Sequence, residues 1–479
     1  MGAEGRVNLQ PVDFDQCPTG VISVLLNLTH NCNLACRYCI MSMPALRQGY
    51  QQRPVSMDPT LVRQSIDYIR QVGLKGTNIT FYGGEPLLCY DLLKYAVEYA
   101  EENYPDWFAY NIITNATLLE PRMADFFAEQ GVRFLFSLDG DQAMNDRLRV
   151  FKTGDASVHA TAWRNIDALL ARYPGIEYKV NITYFRPTLD LAAAFRYLLE
   201  RGVPASRFER GLIPADSPWY VGVDSLERVK AEFSEIAELY LQHLLGGGSH
   251  RLDNLLNLMR KIAKGTPRLR GCNMGIDYLT IAADGTVYPC HKLVGHEGFG
   301  MGHVASGTDN ERYREIWRNN VLQRQGCAGC EERLVCGGYC VCDNHFHNGD
   351  FFQPTLENCE IVRHNIALAR RLLAELERQD PKILKRLLGA DYWLDSDKPV
   401  RSSEAEAVED GRQIRQNRTG GVYALNPVAA WIFDLCDGSN SVAGIAAAIA
   451  EKTNQEQAAV LTDVKQQLVL FRETGLIDR

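Results

Sequence analysis

The sequence predicts an α/β fold, a partial (β/α)6 barrel of the TIM type, followed by a cysteine-rich region and a small winged-helix-like α+β domain. Three observations lead there. Strand-like and helix-like runs alternate from residue 21 to about 215. Cysteines gather in two blocks, one just after the first strand-like run and one between residues 271 and 360. Residues 400–479 then carry three short strand-like runs followed by three helical ones. Strand–helix alternation argues for a parallel sheet covered by helices, and six units fall short of a closed eight-stranded barrel. In such a barrel the chemistry sits at the carboxyl ends of the strands.

Residues 1–20 read as an extension. The first strand is VISVLLNL (21–28), which runs into HNCNLACRYCIM, a C-x3-C-x2-C spacing of Cys32, Cys36 and Cys39. Three thiolates this close in sequence can wrap three corners of a cubane iron–sulfur cluster and leave the fourth iron without a protein ligand. Zinc is the alternative these residues leave open, because structural zinc sites close with a fourth Cys or His and His30 precedes the run. LVRQSIDYIRQVG (61–73) is an amphipathic covering stretch, and NITFY (78–82) is the second strand. It ends at Gly83, Gly84, Glu85 and Pro86. Two glycines let backbone approach a ligand closely, and a carboxylate at a strand end offers a hold for an ammonium group; a plain turn has the same composition. After the helical LLKYAVEYAEENY (92–104) come strands AYNIITN (109–115), RFLFSL (133–138), YKVNITYF (178–185) and a weaker SRFERGLI (206–213). Both motifs fall at carboxyl ends of strands. Residues 216–270 read as a helical connection, with 225–264 its long helical run, ending near Gly271.

The second block is ordered as Cys272, then Gly285 and Cys290, then Cys327, Cys330, Cys336 and Cys340 in C-x2-C-x5-C-x3-C spacing, and last Cys359. A pair of zinc sites is the competing assignment. His291, directly after Cys290, reads as a hydrogen-bonded structural histidine more readily than as a base. Cys17, Cys89, Cys342 and Cys436 stand outside both patterns, and Cys17, Cys89 and Cys436 are most simply buried free thiols. Residues 361–399 read as a helical linker. In 400–479 the strand candidates are 403–410, 412–418 and 421–425, and the helices 426–438, 441–453 and 457–477. A winged helix can bind DNA, but this segment has more Asp and Glu than Lys and Arg, the wrong balance for phosphate.

The joint presence of the Cys32–Cys36–Cys39 triplet and Gly83–Gly84–Glu85–Pro86 resembles the radical S-adenosylmethionine (SAM) superfamily. That resemblance implies a [4Fe–4S] cluster on Cys32, Cys36 and Cys39 whose open iron chelates the amino and carboxylate groups of SAM. Reductive cleavage then gives methionine and a 5′-deoxyadenosyl radical that abstracts a hydrogen atom. It places Tyr38 near the adenine and Gly83–Pro86 at the methionine amino group. It makes Ser137 and Asp139, in FSLDG, candidates for the SAM carboxylate and ribose, and Arg149 a partner of that carboxylate. Thr114 and Asn115 end the third strand, where the related pattern continues with Gly and this chain has Ala116.

The second block resembles the SPASM extension of peptide-modifying radical SAM enzymes. By that likeness Cys327, Cys330, Cys336 and Cys359 hold one auxiliary [4Fe–4S] cluster and Cys272, Cys290 and Cys340 another, three clusters in all. The fourth iron of the latter is closed by Cys342 or a carboxylate, or is open to a substrate thiolate, whose pKa it would lower. GTVYPCHKLVG looks like thioether-forming maturases; sulfatase-maturing relatives have an Asp base after the equivalent cysteine. LNPVAAWIFDLCDG with TGLID resembles the peptide-chaperone domains of the pyrroloquinoline-quinone pathway. There a leader peptide would add as a strand to an exposed sheet edge. The implied domains are 21–215 (radical SAM core), 271–360 (SPASM) and 400–479 (PqqD-like leader recognition). The implied function is a maturase that cross-links a ribosomally made precursor peptide or small protein subunit. A thioether is the first product choice and a carbon–carbon bond the second; the branch that matures quinohemoprotein amine dehydrogenase is one match. A flavodoxin- or ferredoxin-type reductant is implied. The other classes are a formylglycine-forming sulfatase maturase and a non-enzymatic iron–sulfur or zinc regulator.

Composition narrows the field. At 479 residues the chain suffices for two or three domains, and a net charge of −8 offers no basic footprint for nucleic acid. No run reaches 18 apolar residues, and MGAEGRVNLQ lacks a charged-then-apolar signal pattern, so the expectation is a cytoplasmic protein without membrane partners. Fourteen cysteines in that setting point to metal rather than disulfides.

Overall fold

Alternation of apolar strands with amphipathic helices produces the sheet the sequence implies. In the computed structural model, which describes residues 20–39, 56–265, 267–389, 392–408, 413–417 and 422–478, strand β1 (Val21–Thr29) is buried on both faces over most of its length. Such a near-continuous apolar run suits the middle of a parallel sheet covered on both sides. Strands β2 (Gly73–Gly83), β3 (Phe108–Thr114), β4 (Arg133–Ser137), β5 (Tyr178–Tyr184) and β6 (Ala205–Arg210) follow, each parallel to the one before.

Helices fill the crossovers. Helix α1 (Pro59–Val72) starts at Asp58, whose carboxylate accepts from the Leu61 amide, with Pro59 in the first turn. It buries Val62, Ile66 and Ile69, one stripe at helical spacing. Helices α2 (Tyr90–Asn103), α3 (Pro121–Glu129), α4 (Gln142–Leu148), α5 (Val158–Arg172) and α6 (Leu191–Glu200) complete the set. Their apolar faces and the strands share one core, in which Phe81, Phe127, Phe136 and Phe195 are fully buried.

The sheet extends past the six expected strands. A two-residue β7 (Arg251–Leu252) pairs parallel to β6 inside what reads in sequence as an unbroken helical connection, dividing it into helices Leu226–Leu245 and Asp253–Lys264. On the opposite edge β8 (Tyr278–Ile281) pairs parallel to β1, and β9 (Thr286–Tyr288), β10 (Gly302–His303) and β11 (Gly307–Thr308) continue antiparallel. The order β11-β10-β9-β8-β1-β2-β3-β4-β5-β6-β7 is linear, so the barrel is partial. The cysteine-rich region is thereby stitched to the core, because its first hairpin is part of the same sheet. The position expected to end it, 360, lies inside the helix Leu356–Gln379.

Residues 405–477 form a second core around Ile432, Phe433, Ile445, Leu468 and Phe471, with Trp393 packed into it. Strands β12 (Ala405–Val408), β13 (Gln413–Gln416) and β14 (Val422–Ala424) are antiparallel in that order, and β12 and β14 are its edges. Helices Pro427–Leu435, Val442–Thr453 and Gln457–Glu473 cover the sheet. Lys465 ties this unit to the main body through Glu377 at 3.2 Å and Asp395 at 2.6 Å, and is itself nearly buried.

Candidate active site

The cysteine triplet leaves the end of β1 in a loop held by backbone hydrogen bonds. The Ala35 amide donates to Val150 O (2.8 Å), Arg37 to Leu148 O (2.9 Å) and Lys152 to Asn33 O (3.1 Å). These bonds lay the loop along residues 148–152 and bring Arg149 beside Cys36. Cys32, Cys36 and Cys39 lie within electrostatic reach of one another, and burial first of all pushes the Cys32 thiol up to about 11 and Cys36 up to about 12. Apolar surroundings of this kind make thiolates only when a cation or metal supplies the countercharge.

Gly83 and Gly84 each lie against the backbone of the cysteine loop, where a side chain would collide. A Cβ on Gly83 (φ +131) would lie 2.2 Å from Thr29 O, and one on Gly84 2.0 Å from Asn31 O. The amides of Gly84 and Glu85 donate to those same two carbonyls at 2.8 Å. The close approach is therefore to the backbone entering the cysteine loop. Glu85, expected to offer a carboxylate to an ammonium group, has partners within the protein. It is 1% exposed and accepts from the Leu87 amide (3.1 Å), Thr114 Oγ1 (2.6 Å) and the Asn115 amide (2.9 Å). Burial raises its carboxyl to about 7. Pro86 starts a short 3-10 turn, Pro86–Cys89, that Glu85 caps.

At the end of β3, Asn115 Nδ2 donates to Asn33 Oδ1 (3.0 Å) and reaches Cys32 Sγ at 3.9 Å. Ala116 adopts φ +59 with its side chain fully buried, the backbone shape for which the related pattern uses Gly. At the end of β4, Asp139 is wholly buried and accepts from Arg149 Nε (2.8 Å), Arg149 Nη2 (3.1 Å), Tyr38 Oη (2.6 Å) and the Thr183 amide (2.9 Å). Asp139 thus holds Arg149 and Tyr38 in place, and the Tyr38 ring lies 4.6 Å from that of Phe185. Ser137, half-buried, ends β4 beside Asn181.

The second cysteine block condenses into two groups. Cys327, Cys330, Cys336 and Cys359 interact with one another, with Cys359 carried by the helix Leu356–Gln379. Cys272, Cys290 and Cys340 form the other, and Cys342 hydrogen-bonds to Cys290 and Cys340 within it. Among the described residues no three His, Cys, Asp or Glu side chains converge on a point suited to a single metal ion. Cys436 is buried as expected, Cys89 only half-buried, and Cys17 lies outside the described residues.

Residues 26–188 match the radical SAM superfamily, 272–356 an iron–sulfur cluster-binding domain (SPASM), and 414–477 coenzyme PQQ synthesis protein D (PqqD). The serine-type anaerobic sulfatase-maturating enzyme of Klebsiella aerogenes is 34% identical over 343 residues, spanning 64% of this chain and 76% of that enzyme. The chain belongs to the radical SAM superfamily. Mycofactocin maturase MftC of Mycolicibacterium smegmatis is 25% identical, spanning 71% of this chain and 84% of MftC. The solved structure of native anSMEcpe with bound AdoMet and Cp18Cys peptide has the same fold, with a TM-score of 0.63 at 17% identity, covering 74% of this chain and 99% of that one.

Between the radical SAM core and the SPASM region lies a set of polar side chains that no local sequence pattern marks. Arg207 and Glu209 of β6 form an ion pair and keep 51% and 42% of their side-chain surface accessible. Lys292 lies within electrostatic reach of Glu209 and is bonded to Asp343 (2.6 Å) and to Cys340 Sγ (3.7 Å). Burial opposes both charges, yet each partner favours the other's ionised form: the Lys292 ammonium is held above its ordinary range and the Asp343 carboxyl below. Tyr82, immediately before Gly83, lies within electrostatic reach of Cys39, Glu209, Cys290 and Arg149, and meets the His291 ring edge-on at 5.6 Å. It therefore stands between the two cysteine blocks. His291 Nδ1 is hydrogen-bonded to Tyr278 Oη at 3.1 Å, the satisfied role its position suggests. Only the sequence two residues apart in SRFERGLI could have hinted at Arg207 and Glu209, since alternate strand positions share a face.

Proposed function

We propose that this radical SAM enzyme matures a ribosomally made precursor peptide or small protein subunit by installing an intramolecular cross-link, a thioether before a carbon–carbon bond. The carrying observation is Tyr82, which lies within electrostatic reach both of Cys39 in the first triplet and of Cys290 in the Cys272–Cys290–Cys340 group, so the two sets of thiols flank one side chain. The donor sets are thiols grouped by the fold in a protein interior, which suits iron–sulfur clusters. Cys32, Cys36 and Cys39 would hold the core cluster, Cys327, Cys330, Cys336 and Cys359 one auxiliary cluster, and Cys272, Cys290 and Cys340 the other. When loaded, the core cluster supplies the electron that splits SAM and so starts hydrogen abstraction from the peptide.

The chain's own residues bind and orient. With the Glu85 carboxylate engaged inside the protein, the backbone of Gly83–Pro86 is what remains to hold the methionine amino group. Asp139 is a positioning residue: it uses two Arg149 donors and aims the rest of the guanidinium for the SAM carboxylate, while Tyr38 lies along the adenine side. Ser137, Thr114 and Asn115 border the same cleft. The domains are 21–215 for radical chemistry, 271–360 for the auxiliary clusters and 400–479 for leader capture on the edge of β12 or β14. The PqqD match on the same chain supports the leader-capture reading. A flavodoxin- or ferredoxin-type protein in the cytoplasm would supply electrons.

A second reading, formylglycine formation, is favoured by the 34% identity to a sulfatase-maturating enzyme. His291 stands where those relatives have an Asp base, which counts against it. Anaerobic incubation of reconstituted enzyme with SAM, dithionite and peptides encoded beside its gene tests both. A cross-link appears as a loss of about two mass units, with a cysteine no longer alkylated if it is a thioether. Formylglycine from serine loses the same mass but reacts with an alkoxyamine. Cys36→Ala should abolish 5′-deoxyadenosine production; undiminished production would sink the proposal.

A further inference from the structure

Glu209 ends β6 on the face turned away from the covering helices. Phe208, the residue before it, packs outward against Phe195 and Phe233, with ring centroids 6.3 and 6.4 Å away, so Arg207 and Glu209 take the opposite face. Strand β6 stands four places from β2 in the sheet, about 19 Å if the sheet were flat. Glu209 nevertheless lies within electrostatic reach of Tyr82 on β2, so the curl of the sheet brings the two strand ends together. Tyr82 is the side chain flanked by Cys39 and Cys290. Of the carboxylates around it, Glu85, Asp139 and Asp343 are buried and bonded to protein partners. Glu209 keeps accessible surface, and Arg207 Nη2 meets only its Oε1.

We infer, resting on the reading above, that Glu209 is a catalytic residue: its carboxylate accepts the proton that the substrate thiol gives up as the carbon–sulfur bond forms. The step balances. The substrate carbon has lost one hydrogen atom to the 5′-deoxyadenosyl radical. The S–H bond breaks and the C–S bond forms, the proton goes to Glu209, and the remaining electron passes to an iron–sulfur cluster of the auxiliary class. Glu209 then returns the proton to solvent through its accessible surface. The groups facing it are Arg207 on its own strand, Tyr82 of β2, Tyr184 of β5, His291 and Lys292 after β9, and Asp343 of the helix Val341–Asn348. Burial works against its charge, but Arg207 first, then Lys292 and His291, outweigh it, and the carboxyl lies below its ordinary range. It is therefore ionised, ready to accept, at neutral pH.

The test uses the full chain, reconstituted anaerobically, and a cysteine-containing peptide encoded beside its gene. Cross-link formed per 5′-deoxyadenosine produced is measured for the parent, Glu209→Gln and Glu209→Asp. At about pH 7 the Gln variant should fall about tenfold or more on this ratio, and the Asp variant, which keeps a carboxylate, should recover part of it. Raising the pH to about 9, past the ordinary thiol pKa, should lift the Gln variant toward the parent, because the substrate thiol then ionises unaided. Affinity of the unloaded protein for the labelled peptide, by fluorescence anisotropy, should match the parent within about twofold, which a binding or folding role would not allow. A Gln variant with the parent's ratio, a deficit that persists at the higher pH, or lost peptide affinity overturns the inference. A parent that forms 5′-deoxyadenosine but no thioether with any such peptide overturns the underlying reading instead, so the two failures are distinguishable.

Discussion

Asp139 and Arg149 form a buried bidentate ion pair at the heart of the site, 0% and 8% exposed. A desolvated pair of this kind costs most when only one partner is removed, because the survivor is left uncompensated. Asp139→Ala should therefore destabilise by about 3–5 kcal/mol, read from the urea midpoint, and should release Tyr38, whose hydroxyl has the same acceptor. A drop below 1 kcal/mol would show that Arg149 finds another partner. Gly84→Ala makes a separate prediction. Its new methyl group would overlap Asn31 O, so the loop carrying the cysteine triplet must move. Iron should fall by about four per chain as the core site fails to load, with the auxiliary share retained; full iron content would show that the loop adapts. Both residues stand in the sequence as candidate ligand contacts. The structure adds their protein neighbours, which a one-dimensional motif does not name.

Two short or early-ending elements carry more than their length suggests. Strand β7 is two residues long, and the buried His250 just before it bonds to Ser206 of β6 (2.8 Å) and to Val203 O (2.6 Å). Burial holds its imidazole down at about 4 from 6.5. In the folded state the ring stays neutral where the unfolded chain protonates it, so this contribution is intact above pH 6.5 and is lost as pH falls toward 4. The loss amounts to about 3 kcal/mol across that window. Urea midpoints for wild type and His250→Gln should diverge least at low pH, the variant showing the shallower acid slope; parallel slopes would exclude His250 as the cause. The helix Leu356–Gln379 has Cys359 in its first turn and Glu377, the partner of Lys465, in its last. One rigid rod thus spans from the auxiliary cysteines to the PqqD-like unit. Periodicity reveals such a helix readily, and it shows the amphipathic barrel helices equally well. It misses β7 and the pairing of β8 with β1, because strands of two to four residues owe their existence to a partner edge distant in sequence.

At the scale of the whole molecule, the C-terminal unit has its own apolar core and joins the body through the Lys465 ion pairs and the packing of helix Gln457–Glu473 against helix Asp253–Lys264. Deleting 400–479 should leave uncoupled SAM cleavage measurable while weakening precursor affinity at least tenfold, checked by fluorescence anisotropy of a labelled leader; unchanged affinity would refute leader capture there. By itself the sequence determined the six-strand parallel core, which rests on a period that backbone geometry imposes. The class of chemistry and the expected grouping of the cysteines came from the resemblance of its motifs to the radical SAM and SPASM patterns. The tertiary structure alone decided that Glu85 meets Thr114 and Asp139 meets Arg149, that Glu209, Arg207, Lys292 and Asp343 come within electrostatic reach of one another, and that Cys342 joins Cys290 and Cys340. Those facts depend on which side chains meet across long loops, where burial and charge compensation select partners that no local pattern encodes.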